Sequence, residues 1–254
     1  FTLDRKIRSE VMSAIEIFEA NLRQALAYTV AEQISEDQTI YLNRKNYVTG
    51  KKQYNKSLHK MVYPIDALLS ILKGITHAKS EPYSHYRNDH HNIPPWIIVK
   101  KLNFGNLIWW YRLLKTPQKR SVTSRMTGLD EALLQQINAF EQGYVNLLSL
   151  YLDYRNTSAH GGRIYNHFSK KHAIPYNPII HGLLKISPAD YRNGKGQSRL
   201  GTLINTLEFS QDRTAYNELS GGISFYIKRY LELYPDEKEF ICNQAELNAD
   251  FLSK

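Results

Sequence analysis

GYVNLLSLYLDYRNTSAHGGRIYN, residues 143–166, starts with apolar and aromatic residues at helical spacing and runs into a glycine pair. Together with Phe140, the residues Tyr144, Leu147, Leu148, Tyr151 and Leu152 form one stripe, which predicts an amphipathic helix with a buried face. Gly161 and Gly162 predict its stop, since glycine enters the left-handed cap conformation without a Cβ penalty. Arg155, Asn156 and His160 fall near that end. On an ideal helix Arg155 and His160 point about 140° apart, whereas Asn156 and His160 share a face. Asn156 is therefore placed to orient the imidazole. Convergence of Arg155 and His160 on one ligand needs either distorted backbone near His160 or the same segment from a second copy across a two-fold axis.

Outward from this segment the chain reads as helices. Leu3, Ile7, Val11, Ile15, Phe18, Leu22 and Leu26 recur at steps of three and four, predicting one long helix from Phe1 to near Gln33. A second helix is predicted from about Asp66 to Ala78. The stretch 96–114, WIIVKKLNFGNLIWWYRLL, predicts a buried helix interrupted near Asn103–Gly105. TPQKRSVTSRMTG, residues 116–128, reads as a basic link to a helix starting near Asp130. After Asn166 the residues are irregular, and helical periodicity returns at about Gly201–Phe209, Tyr216–Tyr234 and Asp236–Leu252. No repeat, phosphate-binding glycine loop or βαβ alternation is present. The expectation is an all-α bundle, a single domain over 1–254, with a polar Tyr/Lys-rich excursion at 35–60 and a long irregular insertion after His160.

The 254 residues suffice for a real core, and no apolar run is long enough to span a membrane. The lone Cys242 excludes an internal disulfide and fits a reducing cytosol. The first residue is not Met, so a preceding piece of chain is expected. Three Cys-poor histidines, His85, His90 and His91, lie in a polar, proline-flanked stretch and lack the spacing of a metal site. A net charge of +9 and a pI near 9.4 favour polyanionic partners through Coulomb attraction and counterion release. Three runs contain no acid at all: 41–60, 90–129 and 154–189. The first carries Arg44, Lys45, Lys51, Lys52 and Lys56 with interleaved Tyr41, Tyr47 and Tyr54. That pattern suits base stacking beside phosphate contacts.

Arg offers a permanent planar fork for phosphate oxygens, and His moves a proton near neutral pH. RNA brings its own nucleophile, the 2′-hydroxyl, so proton transfer and stabilisation of a charged transition state suffice for cleavage. The acid-free surroundings of His160 argue against a metal held there by local carboxylates. The spacing by itself is weak, because 14 arginines and nine histidines in this length yield about 0.5 chance Arg-x4-His pairs. An arginine and a histidine at a helix end are an equally ordinary structural feature.

The wider string is more specific. RNTSAHGGRIYN, residues 155–166, closely resembles the RN-x-x-AH-x-GR-aliphatic-aromatic-N signature of abortive-infection proteins of the AbiD/AbiF type, within the HEPN superfamily. The opening FTLDRKIRSEVMSAIEIFEANLRQALAY resembles that family's first core helix, and PPWIIVKKLNFGNLIWWYRLL its Trp-Phe-Gly segment. The resemblance spans essentially the whole chain, with a family N-terminal portion not included. It implies a HEPN-like helical bundle, usually dimeric, and phage defence or toxin activity through RNA cleavage; on the 2′-hydroxyl chemistry above, no metal or cofactor is expected. Arg155 and His160 fall on the superfamily's Arg and His, and Asn156 on the polar residue after the Arg. Arg163 and Tyr165 become candidates for substrate contact. Gly161 replaces a histidine often found there, and Gly162 a tyrosine modified in some relatives. Some such systems pair with a small structured RNA, for which the 41–60 segment is a candidate surface. Two functions are therefore expected to compete: a metal-independent endoribonuclease, and a non-catalytic binder of structured RNA.

Overall fold

The computed structural model describes residues 2–55, 59–248 and 251–252. It is all-α: 14 α-helices, with one two-stranded sheet among the described residues. No helix among them is long and apolar enough to cross a membrane. The chain divides into two compact units, one of Phe1–Glu19 with Met126–Lys254 and the other of Ala20–Arg125.

The long first helix α1 runs Thr2–Gln33 and is shared by both units. Its predicted stripe is realised, with Ile7, Val11, Ile15, Leu22 and Leu26 fully buried.

The Ala20–Arg125 unit continues with α2 (Gln38–Tyr41), α3 (Pro64–Thr76), α4 (Tyr83–Asp89), α5 (Pro95–Ile98), α6 (Phe104–Leu113) and α7 (Thr116–Thr127). The predicted interruption of the Trp-rich stretch falls at Leu102–Asn103. Both residues are extended, and Asn103 Oδ1 accepts the N–H of Asn106 at 2.9 Å to start α6. A side-chain acceptor at this position satisfies one of the free amides of a new helix. The 35–60 excursion is more structured than its composition predicts. Tyr41 and Tyr47 are buried, and Tyr47 donates to the Tyr41 carbonyl at 2.7 Å. Tyr41 stacks against the buried Trp110 of α6. Strands β1 (Gln53–Asn55) and β2 (Lys60–Val62) then pair antiparallel, Tyr54 opposite Met61.

Two segments without a predicted helix are helical. The histidine-rich stretch contains α4, where His85 Nδ1 meets Asp89 Oδ2 at 2.6 Å, one turn apart. The basic link is α7, whose buried face uses Ser121 and Thr123 beside Val122 and Met126. Thr123 and the buried Tyr111 hydroxyl are 2.8 Å apart. Hydroxyls therefore occupy positions where a hydrophobicity pattern shows nothing.

In the other unit Asp130 caps α8 (Glu131–Gln136), and Ile137 separates it from α9 (Asn138–Ala159), the central helix. The insertion after α9 is loop apart from α10 (Pro178–Leu183) and α11 (Pro188–Arg192). It is followed by α12 (Leu200–Leu207), α13 (Thr214–Leu231) and α14 (Lys238–Ala245). Phe140, Tyr144, Leu147, Leu148, Tyr151 and Tyr154 of α9 are all buried. The Tyr151 ring meets the Phe18 ring edge-on at 4.8 Å, and Tyr154 donates to the Ser198 carbonyl at 2.9 Å. Burial pushes both phenols up, so they are neutral packing groups, with the polar end of Tyr154 satisfied by Ser198.

Candidate functional site

Helix α9 is unbroken from Asn138 to Ala159, and His160 is its C-cap with φ −92° and ψ 11°. Gly161 follows in the left-handed region at φ +73°. The N–H of Gly162 donates to the Thr157 carbonyl at 2.8 Å, and that of Gly161 to the Ser158 carbonyl at 3.2 Å. These two bonds make a Schellman stop, which satisfies carbonyls that the helix end would leave open. A Cβ on Gly162 would lie 2.5 Å from Thr157 Cγ2 and 3.0 Å from the Thr157 carbonyl oxygen. The glycine pair is therefore required by two distinct constraints, conformation at Gly161 and space at Gly162.

Arg155 is half-buried, while Asn156 and His160 are exposed. Arg155 Nη1 approaches Asn156 Oδ1 at 3.4 Å, so the Asn156 carbonyl faces the guanidinium. Among the described residues the His160 imidazole has no hydrogen-bond partner. With helical backbone throughout Arg155–Ala159, the two side chains leave the helix about 140° apart. No local distortion of the helix brings the two side chains together.

The chain just past His160 is held by two residues that pattern reading missed. Asp4 Oδ1 accepts the N–H groups of Ile164 at 2.8 Å and Tyr165 at 3.1 Å. Arg8 donates through Nη1 to the carbonyls of Gly161 and Gly162, each at 3.2 Å, and to Asp4 Oδ2 at 3.0 Å. Asp4 and Arg8 are one helical turn apart on α1, an ordinary surface pair by spacing. Nothing in that spacing reports a partner some 160 positions away. Arg163, exposed, lies over the Tyr165 ring at 6.0 Å.

A third group joins the insertion to α9. His167 Nε2 is 2.7 Å from Asp153 Oδ2, and His172 Nε2 is 3.6 Å from Asp153 Oδ1. Burial raises the Asp153 carboxyl, but the His167 and Ser169 hydrogen bonds and the His167 and His172 charges outweigh it and leave it lowered. Both imidazoles point at the carboxylate itself, and among the described residues no group of His, Cys, Asp or Glu is arranged to hold a metal.

The basic 41–60 residues belong to the other unit. Arg44 pairs with Asp66 at 2.8 Å and lies over the Tyr63 ring, which Lys52 also approaches at 5.1 Å. Arg44 and Asp66 line a cavity of about 770 Å³ with Asn43, Ser70 and Lys73. Lys45 and Lys51 are exposed, and Lys56 lies outside the described residues. The structure thus places Arg155, Asn156, His160, Arg163 and Tyr165 in one unit, and Arg44, Lys45, Lys51 and Lys52 in the other.

Residues 1–166 match the family model described as Abi-like protein. No curated protein and no solved structure matches the chain.

Proposed function

The chain belongs to the Abi-like protein family, and so to abortive-infection phage defence; from that premise we propose that it is a metal-independent endoribonuclease of the HEPN type. The observation that carries this reading is the end of α9, where a half-buried Arg155 and an exposed His160 flank a rigidly capped helix terminus. In the proposed reaction the RNA 2′-oxygen attacks the adjacent phosphorus while the P–O5′ bond breaks. A general base removes the 2′-hydroxyl proton and a general acid gives one to the departing 5′-oxygen. The products are a 2′,3′-cyclic phosphate and a 5′-hydroxyl. His160 moves one of these protons, and Arg155 neutralises charge building on the non-bridging oxygens. Asn156, whose carbonyl faces Arg155, orients the guanidinium.

One histidine serves one proton at a time, and the helix directs Arg155 away from His160. Both facts are met if two copies place their α9 ends at one two-fold cleft, giving two histidines and two arginines. A homodimer is accordingly part of the proposal. Arg163, Tyr165 and the basic residues Lys45 and Lys51 are proposed RNA contacts.

The test is His160→Ala in the full chain, assayed for cleavage of RNA and for RNA affinity, with EDTA present and absent. Cleavage is expected to fall by at least about 100-fold with affinity retained and no EDTA effect. Cleavage that survives the substitution, or that EDTA abolishes, overturns the mechanism. RNA binding without cleavage in the unaltered protein leaves the non-catalytic RNA binder in its place.

A further inference from the structure

We propose that the turn formed by residues 167–172 is a binding surface for a single-stranded segment of the RNA whose cleavage is proposed above. The inference rests on that reading for its ligand, and on three observations for its place.

The first is attachment. His167 and His172 both meet Asp153 of α9, and the N–H of Ser169 donates to Ser198 Oγ at 3.0 Å. The turn is thus fastened at both ends and in the middle. Asp153 precedes His160 by seven residues. Seven steps on an α-helix return to the same face about 10 Å further along the axis. The turn therefore sits on the His160 side of α9, within reach of a short run of nucleotides bound at His160.

The second is charge. The turn exposes Lys170 and Lys171 in the middle of the acid-free stretch 154–189. Asp153, the nearest acid along α9, has its two carboxylate oxygens directed at the two imidazoles. The carboxylate that would repel a phosphate strand is thereby masked, and the outward charge of the turn is positive.

The third is a stacking platform. Phe168 is 38% exposed, enough to leave part of its ring open to solvent. Its ring lies under the Arg199 guanidinium at 5.4 Å, and Arg199 is tied by a 2.7 Å bond to the Gln244 carbonyl. A ring fixed on one side and open on the other, beside two lysines, is what base stacking with phosphate contacts requires. Single-stranded RNA is the ligand that uses both features. Duplex RNA offers phosphates but no open base face.

The experiment uses the full chain carrying His160→Ala and a mixed-sequence single-stranded oligoribonucleotide, 2′-O-methylated throughout to block cleavage. Lys170→Ala/Lys171→Ala is expected to weaken binding about tenfold near physiological salt. It should also lower the slope of log affinity against log salt by about 1.4, two single-strand phosphate contacts. Phe168→Ala should weaken binding between about 5- and 160-fold with the salt slope unchanged. All three side chains are on the surface, and circular dichroism checks that each variant is folded. Affinity and slope equal to the parent's overturn the surface. If the unaltered protein shows His160-dependent cleavage but these variants bind like their His160→Ala parent, the surface fails and the nuclease reading stands. If binding is lost as expected but no RNA is ever cleaved, the surface stands and the nuclease reading fails. If the parent binds no single-stranded RNA, the surface is overturned as well.

Discussion

Asp4 Oδ1 accepts the N–H of Ile164 at 2.8 Å, joining the first turn of α1 to the chain just past the glycine pair. The same oxygen takes the N–H of Tyr165, and Arg8 takes the Gly161 and Gly162 carbonyls. Two side chains on one helix thus satisfy four backbone groups of the segment that follows His160. Asp4→Ala removes the acceptor for two part-buried amides and leaves Arg8 without its anion. A loss of about 1–3 kcal/mol is expected, read by denaturant unfolding. Asp4→Asn, which keeps one side-chain oxygen, should lose less. Equal stability of all three proteins would show that the clamp holds nothing.

The two glycines are expected to respond differently to alanine. At Gly161 the space is open and only the left-handed φ opposes a side chain, a cost of about 1 kcal/mol. At Gly162 the new Cβ meets Thr157 Cγ2 and the Thr157 carbonyl oxygen. The first can turn away but the second is helix backbone, so about 1–3 kcal/mol is expected. Thr157→Ser removes the Cγ2 and should restore part of that loss in the double variant, not all of it. Full restoration would assign the clash to the methyl alone.

How much of this was legible in the sequence depended on where each element finds its partners. Helices α1, α3 and α9 carry their buried faces as local apolar stripes, and the α9 stop is written in Gly161–Gly162. The break before α6 was legible because Asn103 caps it within three residues. Helix α7 was missed because Ser121 and Thr123 form part of its buried face. The β1–β2 hairpin has short strands without an alternating apolar face. At the site, Arg155 and His160 were identifiable by residue type and family string. Asp4, Arg8 and Asp153 were not, because each acts on a segment that only the fold brings near.

Glu246 makes a less intuitive prediction. Its backbone is left-handed at φ 57°, and Oε1 accepts the N–H of Gly196 at 2.5 Å. Burial raises its carboxyl above the usual 4.5 despite that bond and the nearby Arg199 and Lys195 charges. A raised carboxyl contributes stability below its unfolded pKa and loses it as pH climbs through the folded one. Glu246→Gln keeps an oxygen for Gly196 and removes the buried charge. The variant should therefore unfold at higher urea than the parent near pH 7, with the difference closing near pH 4. A variant less stable than the parent at neutral pH would mean that the charge itself, paired with Arg199, supports the fold.

Asp153 has the opposite sign. Against the upward push of burial, its His167 and Ser169 hydrogen bonds and the two imidazole charges hold the carboxyl below the ordinary 3.8. A lowered carboxyl contributes stability above its unfolded pKa, lost as pH falls through the folded value. The contribution should therefore be intact at neutral pH and disappear on acidification below 3.8. What it stabilises is local, the seating of residues 167–172 on α9. Amide exchange in that turn, compared with exchange in the buried core of α9, reads it directly. Protection of the turn is expected to fall first on acidification. Asp153→Asn should show the loosened turn already at neutral pH, with core protection in α9 unchanged. Identical exchange in the turn for both proteins at neutral pH would show that Ser198 and the surrounding packing suffice to seat it, and that the two histidines are passengers on the carboxylate.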